Sequence, residues 1–223
     1  MANSYLSGNT IIGANNEIHM GCVVGHVPQH LGYKGQPTVT IVGDGNVFRE
    51  YVTIHRASDE EHKTTIGNRC FFMAMSHVAH DAVVGDDVIM ANGTLLAGHT
   101  RIEDKVVLSG NVGVHQHCAI GAMCMIGGLS KIVQDIPPFM LVDGGSEVCG
   151  INVIGLRRAG FDAATREKVK QAYKILYRSE LNVSNAVAEM EAKLGDCLPV
   201  QQMIEFIRKS QRGISRHTRQ ARD

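Results

Sequence analysis

From Thr65 to Ile136 a large apolar residue returns at every sixth position: Ile66, Phe72, Val78, Val84, Met90 and Leu96, then Ile102, Leu108, Val114, Ile120, Ile126 and Ile132. Four residues after each of them stands a small or β-branched one, from Cys70, Ser76 and Ala82 through Thr94 and Thr100 to Ser130. The same phase runs upstream through Leu6, Ile12, Ile18 and Val24, then Val42, Phe48 and Ile54. A helix would repeat near 3.6 residues and a half-buried strand at 2, so neither accounts for this period. A hexapeptide repeat fits a prism whose sides are short strands, each hexapeptide turning one corner and three completing a coil. The large residue points inward and the small one packs at the corner. Glycine follows the apolar residue at Gly13, Gly25, Gly43, Gly67, Gly85, Gly121 and Gly127, where a tight turn is expected to require it.

Two stretches keep the phase and lose the pattern, "GHVPQHLGYKGQPTVT" at 25–40 and "HRASDEEHKT" at 55–64. Insertions into a solenoid become loops at one corner, often on the binding face. The β pattern ends at "IPPF", which places a β-helix over 1–138 and a helical domain over 139–223. In the latter, Asp162 is a candidate N-cap ahead of an apolar stripe of Val169, Ala172, Tyr173, Leu176 and Tyr177. Two further helices are expected in "NVSNAVAEMEAKLG" and "PVQQMIEFIRKSQRG", closed by Gly195 and Gly213. With so few helices, packing against the β-helix is expected.

Composition narrows the class. Formal charge is zero, so no global field favours nucleic acid or a membrane surface. No segment has the length and apolarity of a transmembrane helix, and the N-terminus does not read as a signal peptide, so a cytoplasmic protein without membrane insertion is expected. Cys22, Cys70, Cys118 and Cys124 share the small-residue phase and read as buried side chains rather than disulfides or ligands. The tail "IRKSQRGISRHTRQARD" is strongly basic and could meet an acidic partner.

Histidines are the candidate chemistry. His80, His99 and His117 are separated by 19 and 18 residues, which stacks them near one edge on successive coils, with His77 and His115 beside them. Two chemistries can use such a cluster. One imidazole can act as a general base oriented by a carboxylate, and His80 followed by Asp81 offers that pairing. Alternatively, three imidazoles can hold Zn²⁺ with one position open, as in a γ-type carbonic anhydrase. Spacing alone permits both.

The stretches "TIHRAS", "SHVAHDAVVGD", "LLAGHT", "GVHQHCAIGAMCMIGG", "QDIPPF", "GINVIGLRRAGF", "AYKILYRS" and "SQRGI" closely resemble the UDP-N-acetylglucosamine O-acyltransferases of lipid A biosynthesis. The resemblance spans nearly the whole chain. It implies a left-handed parallel β-helix followed by a C-terminal helical domain, and a homotrimer with active sites between neighbouring β-helices. The implied reaction moves a 3-hydroxyacyl chain from acyl carrier protein to the sugar 3-hydroxyl, with no cofactor beyond that thioester donor. Carried over by position, His80 becomes the general base, Asp81 its orienting carboxylate, and the Gly98 amide an oxyanion donor. His77, His99 and His115 would contact sugar or phosphate, and Gln116, Asn152 and Arg158 the nucleotide. Gln29 and Tyr33 in the first loop would line the same cleft. Met125 and Gly128 fall where acyl length is set, and the basic tail would face acidic acyl carrier protein.

Three departures accompany the resemblance. The family carries about two more coils ahead of the point where this chain starts. Its first-loop acid and lysine are replaced by His30 and Gly32, with Lys34 two residues on, and Ile154 stands where it has a glutamate. An amino-sugar nucleotide acceptor and a coenzyme A donor therefore remain open.

Overall fold

The computed structural model describes Met1 and residues 3–217. The hexapeptides wind into a left-handed parallel β-helix, followed by helices. Its first side is a sheet of seven strands, from Tyr5–Leu6 to Lys131–Ile132. The second has six, from Asn9–Ile12 to Ala119–Ile120, and the third eight, from Glu17–Ile18 to Glu147–Ile151. Residues one coil apart are direct neighbours: Val78 pairs with Leu96, and Leu96 with Val114. Phe48, Phe72, Val78, Met90 and Leu96 are wholly buried on the prism axis. Burial of each such side chain contributes about 1.5–3 kcal/mol. Cys22, Cys70, Cys118 and Cys124 are buried and free, as their phase predicts.

The corners differ from the sequence expectation. One residue per hexapeptide adopts a left-handed conformation, at Met75, Asp81, Asp87, Gly93, His99, Lys105, Asn111, His117, Met123 and Leu129. Only one of these is glycine. The left-handed amide bonds to the corner one coil earlier, as in His99 N–H to His80 O at 3.0 Å and His117 N–H to Gly98 O at 3.1 Å. Such bonds offset the roughly 1–2 kcal/mol that left-handed geometry costs a non-glycine residue; at Asp81 the amide donates to Thr64 Oγ1 instead. The glycines behind the apolar residues serve close stacking instead. A Cβ on Gly67 would sit 2.6 Å from the Gly85 backbone, and one on Gly121 2.4 Å from Pro138 N. Of the seven, Gly25 alone has a left-handed φ.

The β structure also continues past residue 138. Met140–Asp143 joins the third sheet beside Met125–Ile126, then turns back as an antiparallel hairpin with Glu147–Ile151. Among the described residues four helices follow: α1 (Val153–Arg158), α2 (Ala163–Arg178), α3 (Val183–Leu194) and α4 (Leu198–Lys209). Asp162 caps α2 by accepting from the Thr165 amide, and Gly195 closes α3. In contrast, α4 ends at Lys209 with Ser210 as its cap, and Gly213 lies beyond it. Val169, Ala172, Leu176, Met190 and Met203 join the same hydrophobic cluster as the prism interior, so the helices extend that core.

After α4 the chain returns to the β-helix. Ser210 Oγ donates to Asp135 Oδ2 at 2.6 Å, and the Ser215 amide donates to Asp135 O at 2.8 Å. Arg212 donates to the Val133 and Gln116 carbonyls. Part of the basic tail is thus clasped to the prism, while its residues 218–223 lie outside the described residues.

Candidate active site

The corner between the first and second sheets carries the histidines. Asp81, His99 and His117 occupy its left-handed positions on three successive coils, preceded by His80, Gly98 and Gln116. The His99 and His117 rings stack at 4.5 Å, and His80 meets His99 edge-on at 5.3 Å. Loops add His30, 5.0 Å from His80, and His62, 5.3 Å from His99. On the adjoining face of the first sheet, His26, His55 and His77 form a second row.

His80 and Asp81 are the tightest pair. His80 Nδ1 and Asp81 Oδ2 lie 2.6 Å apart, both residues being buried. Burial pushes the Asp81 carboxyl up, but hydrogen bonds from His80 and Ser58 and the nearby His99 outweigh it and bring its pKa to about 2. An ionised carboxylate can only accept, so His80 Nδ1 carries the proton of that bond, and in the neutral ring the Nε2 lone pair is the one that can accept. The ring lies directly over Gly98, where a Cβ would stand 2.5 Å from His80 Cε1 and 2.7 Å from Nε2. Among the described residues the Gly98 amide has no backbone acceptor, whereas Ala97 and His99 on either side donate to the neighbouring coils.

A cleft of about 790 Å³ opens on this side, lined by Gln29, His77, His80, Gly98, His115, Gln116 and Lys131. It gathers six of the residues singled out from the sequence. A second cleft of about 480 Å³, across the corner, takes Asp81, His99 and His117 together with His62 and Lys209. Burial first, then the charge of His80, holds His77 below the usual histidine range. Burial lowers His99 as well; Asp81 opposes that shift, and His117 and His80 add to it. His55, buried and flanked by His77, His26 and His80, falls to about 4.

Other expected residues lie elsewhere. The Tyr33 hydroxyl donates to Gln36 O at 2.8 Å and accepts from Arg56, so it braces the first loop internally. Asn152 caps α1, accepting from the Gly155 amide while its Nδ2 donates to Met123 O. Arg158 is exposed at the end of α1, Met125 is in the third sheet, and Gly128 follows on the corner leading back to the first. None of these five lines either histidine cleft.

Sequence reasoning missed Ser58, Thr64 and Lys131. Lys131 was legible, because it continues the stack His77, Leu95, Gly113 one coil further. Ser58 had no such signal. It lies in the loop where the repeat lapses, yet its amide donates to Asp81 Oδ1 at 2.9 Å and its hydroxyl to Asp81 Oδ2 at 2.6 Å. Thr64 Oγ1 accepts from the Asp81 amide at 2.8 Å.

His80, Asp81 and His99 also form a cluster of possible metal ligands. Their arrangement does not fit zinc. Tetrahedral bonds of 2.0–2.1 Å separate ligand atoms by about 3.3 Å, whereas His80 Nδ1 and Asp81 Oδ2 stand at 2.6 Å with Ser58 already on the same oxygen. That spacing suits a shared proton.

The chain is similar to known proteins over most of its length. A family model described as UDP-N-acetylglucosamine O-acyltransferase, domain 2, matches residues 135–215, and one for bacterial transferase hexapeptides matches 63–98. An acyl-[acyl-carrier-protein]–UDP-N-acetylglucosamine O-acyltransferase of Anaeromyxobacter sp. (strain Fw109-5) is 45% identical over 95% of this chain and 83% of its own. One from Gloeothece citriformis is 43% identical, over 92% and 74%. Among solved structures, a UDP-N-acetylglucosamine acyltransferase from Bacteroides fragilis superposes with a TM-score of 0.94 at 40% identity, covering 97% of this chain and 85% of that one. The Arabidopsis UDP-N-acetylglucosamine acyltransferase gives 0.89 at 34%, covering 96% and 86%. With relatives this similar over this much of its length, the chain is an acyltransferase belonging to the acyl-[acyl-carrier-protein]–UDP-N-acetylglucosamine O-acyltransferase family.

Proposed function

We propose that the protein, as a cytoplasmic homotrimer, moves a 3-hydroxyacyl chain from acyl carrier protein to the 3-hydroxyl of UDP-N-acetylglucosamine in lipid A biosynthesis. The observation that carries this reading is the 2.6 Å His80–Asp81 pair beside the uncommitted Gly98 amide. His80 Nε2 takes the hydroxyl proton as that oxygen attacks the thioester carbonyl, and Asp81 stabilises the resulting imidazolium. The carbonyl oxygen becomes an oxyanion and accepts from the Gly98 amide, an interaction typically worth about 3–4 kcal/mol. Collapse breaks the C–S bond, and His80 returns its proton to the leaving thiolate. No cofactor enters these steps.

Substrate contacts follow from the cleft. Gln29, His77, His115 and Gln116 face the sugar nucleotide from the chain that carries His80, and Lys131 adds a cation for the diphosphate. His99, across the corner, supports the Asp81 carboxylate from 3.4 Å. Asn152, Arg158, Met125 and Gly128 would act from a neighbouring chain, the first two on the nucleotide and the last two on acyl length. The described residues include no helix long and apolar enough to cross a membrane.

One observation favours a second acceptor. His30 packs against His80 where the resembled family has an acid, and Gly32 replaces its lysine, which changes the charge met by a 3-amino sugar. The test is acyl transfer from mixed 3-hydroxyacyl carrier proteins to UDP-N-acetylglucosamine and to its 3-amino analogue, with wild type and His80→Ala. Wild type is expected to acylate the 3-hydroxyl, and the substitution to reduce the rate by about 100- to 10,000-fold. Transfer to the amine alone would overturn the hydroxyl assignment, and an active His80→Ala the assignment of the base.

A further inference from the structure

The loop at 56–62 looks like an interruption of the repeat, yet it is fastened at both of its working ends. Ser58 is 7% exposed and places its amide on Asp81 Oδ1 and its hydroxyl on Asp81 Oδ2, the oxygen that also holds His80 Nδ1. Thr64, where the repeat resumes, holds the Asp81 amide. Two residues before Ser58, Arg56 donates to the Tyr33 hydroxyl through Nε and Nη2 and so ties the same loop to the first loop. Asp81 needs such a clamp. Its backbone sits in the left-handed region at φ 60°, on a corner between two strands. Without Ser58 the carboxylate would be held at Oδ2 alone, by His80 and the more distant His99, and could rotate about χ2 and turn the ring with it.

We infer that Ser58 is a positioning residue for acyl transfer: it locks the Asp81 carboxylate so that the His80 ring stands over Gly98 with Nε2 facing the cleft. This rests on His80 being the base. Because the hydroxyl donates to the same oxygen as His80, it also limits how much negative charge Oδ2 offers the imidazolium. Removing the hydroxyl therefore has two effects. The ring loses its orientation, and Oδ2 becomes a stronger acceptor, which raises the proton affinity of His80.

The experiment measures kcat, KM for UDP-N-acetylglucosamine and the pH profile of kcat/KM in wild type, Ser58→Ala, Ser58→Thr, Asp81→Asn, Ser58→Ala/Asp81→Asn and His80→Ala. A displacement of about 1 Å at a catalytic group costs on the order of 100-fold. Ser58→Ala is expected to lower kcat roughly 10- to 100-fold with KM nearly unchanged. Its acid limb should move to higher pH. Ser58→Thr, which keeps the hydroxyl, should recover most of the rate. In the Asp81→Asn background Ser58→Ala should cost little more, since both act through one carboxylate. Loss of kcat that adds fully to Asp81→Asn, with an unmoved acid limb, would mean a merely structural role and overturn the inference. So would a wild-type kcat in Ser58→Ala. If His80→Ala stays active, the reading of the base has failed instead, so the two failures are separable.

Discussion

A side chain at position 98 and the ring of His80 compete for one volume. The Gly98 backbone is not left-handed, so alanine costs it little conformationally, but an added Cβ would lie 2.5 Å from a movable imidazole. The ring yields rather than the coil. Gly98→Ala is therefore expected to leave the thermal midpoint nearly unchanged while lowering kcat on the order of 100-fold, because the base is displaced and the amide beside it is crowded. Thermal unfolding and single-turnover transfer on one preparation check this; equal losses of stability and rate would contradict it. A second residue-scale consequence concerns acid. His55 is 5% exposed, its Nδ1 has no hydrogen-bond partner among the described residues, and burial with the charges of three nearby histidines brings its pKa from 6.5 to about 4. An unfolded chain takes up this proton as pH falls through about 6.5, while the folded protein resists until about 4. Stability is thus fully present above 6.5 and falls between those limits, by on the order of 3 kcal/mol from this group. Asp81 acts lower down: its contribution is retained above 3.8 and lost only as pH falls toward about 2. Urea unfolding at pH 7 and 4.5 should show a flatter pH dependence in His55→Gln than in wild type.

At the scale of elements, strands and corners divide the labour. The strands bury the axis and fix an 18-residue register, and that register turns sequence spacing into a vertical stack of His77, Leu95, Gly113 and Lys131. For this reason most of the fold, and the adjacency of His80, Gly98 and Gln116, was legible in the hexapeptide period. The corners were less legible, because a left-handed residue there, Asp81 excepted, is secured by a backbone bond between coils and leaves no mark on residue type. The hairpin Met140–Asp143 with Glu147–Ile151 escaped because its strands alternate in and out and drop the period of six. The loops escaped for the same reason. His26, His30, His55 and His62 all join the histidine edge from or beside the two lapses in the repeat, where no register predicts a neighbour. Ser58 belongs with them. What the repeat makes readable is the platform; what grips the catalytic pair comes from the segments that abandon it.

For the whole molecule, the division of the expected site is the main constraint. His80, Gly98, Gln29, His77, His115 and Gln116 face one cleft, whereas Asn152, Arg158, Met125 and Gly128 attach to the third sheet and the corner beyond it. Two sides of one prism cannot close on a single substrate, but a neighbouring prism can present the second set to the first. The corner between the third and first sheets is suited to that contact. Tyr51, Met75 and Leu129 project from it, 60%, 68% and 79% exposed, all with left-handed φ. Met75 also borders the His80 cleft. Exposed apolar side chains in a conformation that already costs about 1–2 kcal/mol are a burden to an isolated chain, and a second copy would relieve it. Asparagine tolerates left-handed geometry, so Met75→Asn combined with Leu129→Asn removes the apolar surface without straining the corner. Sedimentation equilibrium should find a trimer for wild type and a shift toward monomer for the double variant. Circular dichroism should be unchanged, and kcat/KM should fall at least about tenfold as the cleft loses its second wall. A double variant that stays trimeric would move the contact to another face. A wild type that is monomeric and active would require Asn152 and Arg158 to act, if at all, away from the His80 cleft, and the homotrimer would have to be abandoned.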